Sequence, residues 1–168
     1  SSAASDVYKR QMYECSKSKK FQNILDYGSG SGILGIAAKK LMPYSKITLI
    51  DVDNLAVKMS KFNLKKNNII SNNNVLEVSP KKRKHIKKNF YNLIFANILL
   101  PQLKSLIKEF TYILDHNGFL IVSGILINQK NQLINLYRKF KIYPVKISEE
   151  EKWITITFRE KNEKAHWI

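Results

Sequence analysis

A single cysteine, Cys15, stands in 168 residues, which excludes any disulfide within the chain. No apolar run approaches the roughly 20 residues that a membrane-spanning helix needs, and no basic stretch leads into a short apolar segment as in a secretory signal. Cytoplasmic residence and no membrane partner are the expectations. Histidine is limited to His85, His116 and His166, and no metal site is expected. Carboxylates are scarce, with 13 Asp and Glu against 29 Lys and Arg, giving a net charge of +16. Glycine is scarce as well, six in all, yet Gly28, Gly30, Gly32 and Gly35 crowd into one segment.

A polyanion is the usual partner of so basic a chain. Composition offers a competing account. Lys, Asn and Ile abound everywhere, as in "KKNNIISNNN", the pattern left when an AT-rich genome drifts towards AAA, AAT and ATT codons. Charge alone leaves both readings open. Residues 1–11, "SSAASDVYKRQ", share neither this bias nor any periodicity, and they read as a non-native scar or a disordered start. The remaining residues, 12–168, suffice for one buried core and are short for two.

From Phe21 onward, short apolar runs alternate with helical patterns. "NILDY", "KITLIDV", "NVLEV", "YNLIFANIL" and "FLIVSGI" have strand length and composition. Between them, "ILGIAAKKLM", "NLAVKMSKFNLKKN" and the stretch from Pro101 to Leu114 have helical spacing, with Asn54 placed to cap the second of these helices. "HNG" at His116 to Gly118 signals a turn, and "QKNQLINLYRKF" a last helix. Such alternation implies βαβ units and a parallel sheet, with near-continuous apolar strands because helices cover both faces. "IYPVKI" and "KWITITF" have no convincing helix between them. The predicted fold is therefore α/β, a doubly wound, mostly parallel sheet with an antiparallel edge hairpin.

Ligands of such sheets bind outside the carboxyl ends of the strands, where the strand order reverses. Gly28, Gly30 and Gly32 directly follow the first strand, "NILDY", and precede a helix whose first N–H groups lack intrahelical partners. Gly30, Gly32 and Gly35 spell the dinucleotide fingerprint, with Asp51 placed to accept ribose hydroxyls. Asp26 argues against a pyrophosphate, since a carboxylate at the turn would repel phosphates and attract an ammonium group. Adenosine bearing an amino-acid tail fits better, and the expected cofactor is S-adenosyl-L-methionine. The competing role for Asp26 is that of a strand-end carboxylate capping nearby amides. Asn97 ends the fourth strand at the same sheet edge, where its amide can accept a bond from an incoming amine or cap the following helix.

"ILDYGSGSGILGIAA", "ITLIDVDNLAV", "LIFANILLPQL", "GFLIVSGILINQ" and "SEEEKWITITFRE" occur in this order over Ile24 to about Glu160. In this they resemble the PrmA family, bacterial methyltransferases acting on the large-subunit ribosomal protein L11. The resemblance implies a class I methyltransferase fold of seven strands over 12–168. Asp26, Gly28, Ser29, Gly30, Gly32, Asp51 and Asn97 would line the S-adenosyl-L-methionine pocket, and methyl groups would pass to lysine ε-amines and an N-terminal α-amine of the ribosomal protein. Ser29 stands where the family usually has cysteine, and Pro101 sits one place early. "EVSPKKRKHIKK" offers no carboxylate for the adenine amine. The family's N-terminal substrate-recognition domain and the threonine-bearing segment before the first strand are not found in the sequence, so the resemblance is to the catalytic half.

Methyl transfer is an in-line displacement, and alignment is the enzyme's main task. The amine must be neutral, although a free lysine has a pKa of about 10.4. Asn97 is expected to orient it. His85, His116 and His166 are expected on solvated surface, leaving no general base assigned. Two rivals remain open from sequence: a nucleic-acid methyltransferase, suggested by the charge and by the cluster Lys81 to Lys88, which could also make nonspecific RNA contacts, and a noncatalytic remnant that keeps the pocket.

Overall fold

The computed structural model describes residues 2–69, 75–78, 83 and 85–161. Its elements are α1 (Ser2–Ser18), β1 (Asn23–Tyr27), α2 (Ile33–Leu41), β2 (Lys46–Ile50), α3 (Asn54–Lys66), β3 (Val75–Val78), β4 (Tyr91–Asn97), α4 (Leu100–Ile113), β5 (Leu114–Leu126), α5 (Lys130–Arg138), β6 (Ile142–Glu150) and β7 (Trp153–Glu160). The seven strands form one sheet in the order β3-β2-β1-β4-β5-β7-β6. β1 through β5 pair in parallel, whereas β7 lies antiparallel to both β5 and β6. This is the expected doubly wound sheet with its antiparallel edge pair.

Strand parity decides which core each side chain joins. On β1, Leu25 and Tyr27 pack with α4 and α5, while Ile24 joins the opposite cluster with Met12 of α1 and Leu34, Ile36 and Ala38 of α2. α4 buries Leu103, Ile107, Phe110 and Ile113 at helical spacing, and each such side chain contributes about 1.5–3 kcal/mol when taken out of water. Strand order reverses at β1, whose two neighbours β2 and β4 are reached in opposite directions. A crevice opens there at the carboxyl ends of the strands.

Two local expectations are revised. Asp53, not Asn54, caps α3, its carboxylate accepting from the Leu55 N–H at 2.9 Å. The turn signal at His116 to Gly118 falls inside β5, where register shifts from the Tyr91–Leu114 pair to the Leu93–Phe119 pair and the extra residues are absorbed as an irregularity. Residues 2–11 belong to α1, with Val7, Gln11 and Met12 buried. On β7, Thr155 and Thr157 are each 3% exposed. Thr157 donates to Gln11 of α1 at 2.9 Å and Thr155 to Ser123 at 3.2 Å, so buried hydroxyls here are partnered.

Candidate functional site

β1 ends at Tyr27, and the chain turns at once through Gly28, Gly30 and Gly32, all at positive φ. The turn is tied to β2, since the Gly28 and Ser29 N–H groups both donate to the Ile50 carbonyl at 2.8 Å. Asp51, the next residue, accepts from the Gly30 N–H at 2.8 Å through one carboxylate oxygen and from the Asp53 N–H at 2.9 Å through the other. From α3, Asn63 donates to the Ser31 carbonyl at 2.9 Å. The loop is thus held in shape by its neighbours before any ligand arrives. At Gly28 (φ 74°) a Cβ atom would lie 2.6 Å from the Ile98 side chain, so the β1 turn and the β4 turn meet there only because the residue has none.

A cavity of about 600 Å³ opens above this junction. Its lining includes Gly28, Asp51, Val52 and Asn97, together with Gln102 of α4 and Trp153 of β7. Volume and placement match those of small-molecule sites in α/β sheets. Asn97 is exposed at the end of β4, and among the described residues its amide has no hydrogen-bond partner. Helix capping, the competing role, is performed elsewhere, since the Leu99 N–H at the start of α4 donates to Gln102 at 2.9 Å. The Asn97 amide is therefore available to a ligand.

Asp26 is placed differently from the expectation. Parity turns it towards α2, and it is 1% exposed, its carboxylate accepting from the Gly35 N–H at 3.0 Å. It is not among the cavity-lining residues. Burial pushes its carboxyl up to about 7, against the opposing effect of the Gly35 hydrogen bond and with a smaller push from the Asp51 charge. Amide capping describes what this side chain does in the protein. Ser29, Gly30 and Gly32 build the loop without lining the cavity themselves.

The histidines diverge from one another. His116 is exposed beside Asn89 and Glu160, as expected, and His166 lies outside the described residues. His85 corrects the reading of solvated surface, being 1% exposed with Nε2 2.9 Å from Glu109. Of the Lys81 to Lys88 cluster, Lys81, Lys82 and Lys84 lie outside the described residues, while Arg83, Lys87 and Lys88 are exposed. The Lys87 ammonium sits 4.5 Å from the Phe90 ring centroid.

Gly124, Trp153 and Tyr27 are among the cavity residues that carried no role in the sequence reading. Gly124 of β5 has φ 84°, and a Cβ there would lie 3.0 Å from the Ile98 carbonyl and 3.1 Å from Asn97 Oδ1. Its signal was the "SGIL" stretch. Trp153, closing the acidic run, and Tyr27, ahead of the glycines, also line the cavity. Neither has a spacing rule that announces a ligand.

No helix among the described residues is long and apolar enough to cross a membrane. Residues 10–161 match a family model described as ribosomal protein L11 methyltransferase (PrmA). The protein of that name from Agrobacterium fabrum is 33% identical over 149 residues, which cover 86% of this chain and 49% of the relative. Its namesake from Dictyoglomus thermophilum is 32% identical over 138 residues, 82% of this chain and 44% of the relative. This chain thus spans about half the length of the curated relatives it matches. Among solved structures, a ribosomal protein L11 methylase from Lactobacillus delbrueckii superposes with a TM-score of 0.81 at 24% identity, over 92% of this chain and 77% of that one. A precorrin-6y C5,15-methyltransferase from Geobacter metallireducens superposes with a TM-score of 0.71 at 15% identity, over 89% of this chain and 84% of the other; the likeness in both cases is one of fold. With its glycine turn, Asp51 and Asn97 converging on one cavity and the family match running through nearly all of its length, the chain belongs to the ribosomal protein L11 methyltransferase (PrmA) family.

Proposed function

We propose that the cavity binds S-adenosyl-L-methionine and that the protein transfers its methyl group to amines of ribosomal protein L11, lysine ε-amines and the N-terminal α-amine. The observation that carries the reading is the cavity at the sheet's switch point, with a carboxylate on one wall and a free amide on the other. The residues suit that cofactor. Each Asp51 oxygen accepts one backbone N–H and keeps a lone pair for a hydroxyl, so the pair can take a ribose diol. Gly28 leaves the floor without a side chain, and the Gly28 to Gly32 turn would hold the methionine and ribose ends of the cofactor. Asp26 acts from behind, holding the first turn of α2 against the loop.

When bound, the cofactor supplies an activated methyl group. Asn97 presents an amide oxygen to the incoming amine and orients its lone pair, and apolar walls such as Val52 and Leu106 disfavour the charged ammonium form. Alignment at this one amide supplies the main rate effect.

The reading is tested by calorimetry. S-adenosylhomocysteine should bind measurably and NAD far more weakly. Asp51→Ala should weaken binding by about 1–3 kcal/mol, the cost of unpairing buried polar groups. Preferential NAD binding would sink the proposal.

A further inference from the structure

Tyr27 of β1, Glu109 of α4 and His85 of the segment leading into β4 meet beneath the cavity wall. Tyr27, the last residue of β1, is 8% exposed and lines the cavity. Its ring is held edge-to-face by Phe110, with centroids 5.4 Å apart and planes at 90°, and by His85 at 5.9 Å and 78°. Its hydroxyl is set against the Glu109 carboxylate; burial first, then the charge and hydrogen-bonding of Glu109, keep the phenol neutral far above its ordinary range. Glu109 in turn takes His85 Nε2 at 2.9 Å, and His85 Nδ1 is buried without a hydrogen-bond partner among the described residues.

Three polar side chains in such a place cost desolvation that an apolar trio of the same volume would avoid. Packing alone therefore does not account for them. A phenylalanine at position 27 would fill the same space, and the hydroxyl adds one thing, an anchor point for a carboxylate. Glu109 is itself fixed, by a histidine on its other side. α4 presents Gln102 and Leu106 to the cavity and Glu109 one turn further on, so one helix shapes both the cavity and the anchor.

We propose that Glu109 and His85 are positioning residues, a clamp that fixes the Tyr27 ring as a preformed part of the cavity wall and thereby sets where β1 ends and the glycine turn begins. The proposal rests on the cofactor reading given above. A wall residue already locked in one rotamer does not have to be ordered when the ligand binds, and affinity gains accordingly. Tyr27 is the group that meets the ligand, and Glu109 and His85 act through it.

Calorimetry with S-adenosylhomocysteine, on the wild-type chain and on Glu109→Ala, Glu109→Gln and Tyr27→Phe, tests the clamp. Glu109→Ala should weaken binding by about tenfold, while Glu109→Gln, which can still accept from both neighbours, should stay within about threefold. In a Tyr27→Phe background the Glu109→Ala effect on affinity should shrink below about twofold, because no hydroxyl remains to be anchored. Equal losses in the two backgrounds, or no loss in either, would overturn the proposal. A second readout needs no ligand. In the free protein, ring-labelled tyrosine NMR should show slow flipping of the Tyr27 ring, made fast by Glu109→Ala and likewise by His85→Leu, and unchanged flipping in both variants overturns the clamp. Wild-type protein that fails to bind S-adenosylhomocysteine would remove the cofactor reading, and the flipping rates would still decide whether the clamp exists.

Discussion

Between about pH 4 and 7 the folded chain keeps a proton on Asp26 that the unfolded chain has lost, because burial raises this carboxyl from 3.8 to about 7. A raised acid contributes stability that is complete below the unfolded value, declines as pH rises and is gone once the folded group ionises. Asp26→Asn retains an oxygen for the Gly35 N–H and cannot ionise. Its denaturation midpoint should therefore fall less than that of the wild type between about pH 4.5 and 7.5, and parallel midpoints would show that Asp26 is ionised in the fold throughout. Gly124 governs a different property. Alanine there meets both an unfavourable backbone angle and the Asn97 amide 3.1 Å from its Cβ. On the function proposed above, Gly124→Ala should push the Asn97 amide by a few tenths of an ångström and lower methyl transfer by about tenfold, with cofactor affinity changed far less. Separate measurement of turnover and of S-adenosylhomocysteine affinity checks the split.

Among the elements, β1, α2 and β2 were legible in the sequence because their signals are local: apolar runs, a glycine cluster, a helical period. The same locality explains what was missed. Thr155 and Thr157 resemble the wet side of an alternating strand until α1 is laid over them, and only tertiary contact shows that Gln11 and Ser123 satisfy their hydroxyls. α1 itself has no strong apolar period, since what it buries includes a glutamine. Gln11 is 2% exposed and bridges Ser148 at 2.8 Å and Thr157 at 2.9 Å, which joins the helix to both strands of the edge hairpin. His85 was misread for a related reason, as its partner Glu109 lies 24 residues away on α4. Asn97, by contrast, was visible from the end of an apolar strand, while Gly124 needed the β4–β5 pairing to matter. Gln11→Leu should lower stability by about 1–3 kcal/mol by stranding the buried Thr157 hydroxyl and releasing the half-buried Ser148, and adding Thr157→Val should recover part of that loss. Denaturant titration of the single and double variants decides it, and a neutral Gln11→Leu would mean that α1 is not tied down through this bridge.

At the scale of the whole molecule, a body of net charge +16 carries carboxylates at its site, with Asp51 in the cavity lining and Glu109 behind the wall. Phosphates are thus drawn to the molecule and turned away from the cavity, whereas a ligand with a cationic head is not. Two kinds of binding should separate on this basis. RNA should attach through exposed cations such as Arg83, Lys87 and Lys88, without sequence preference, because the Phe90 ring nearest them already carries Lys87 on its face and stacking of bases on aromatics is what tolerant single-strand binders use. With about four phosphates neutralised, affinity for a single strand should fall roughly fiftyfold between about 50 and 200 mM salt, by counterion release. S-adenosylhomocysteine binding, confined to a pocket where few counterions are displaced, should change little over the same range. Filter binding for RNA and calorimetry for the nucleoside, run in parallel across the salt series, test the separation. RNA affinity that survives high salt, selects a sequence and competes with the nucleoside would place the polyanion in the cavity itself and favour a nucleic-acid substrate over a protein amine.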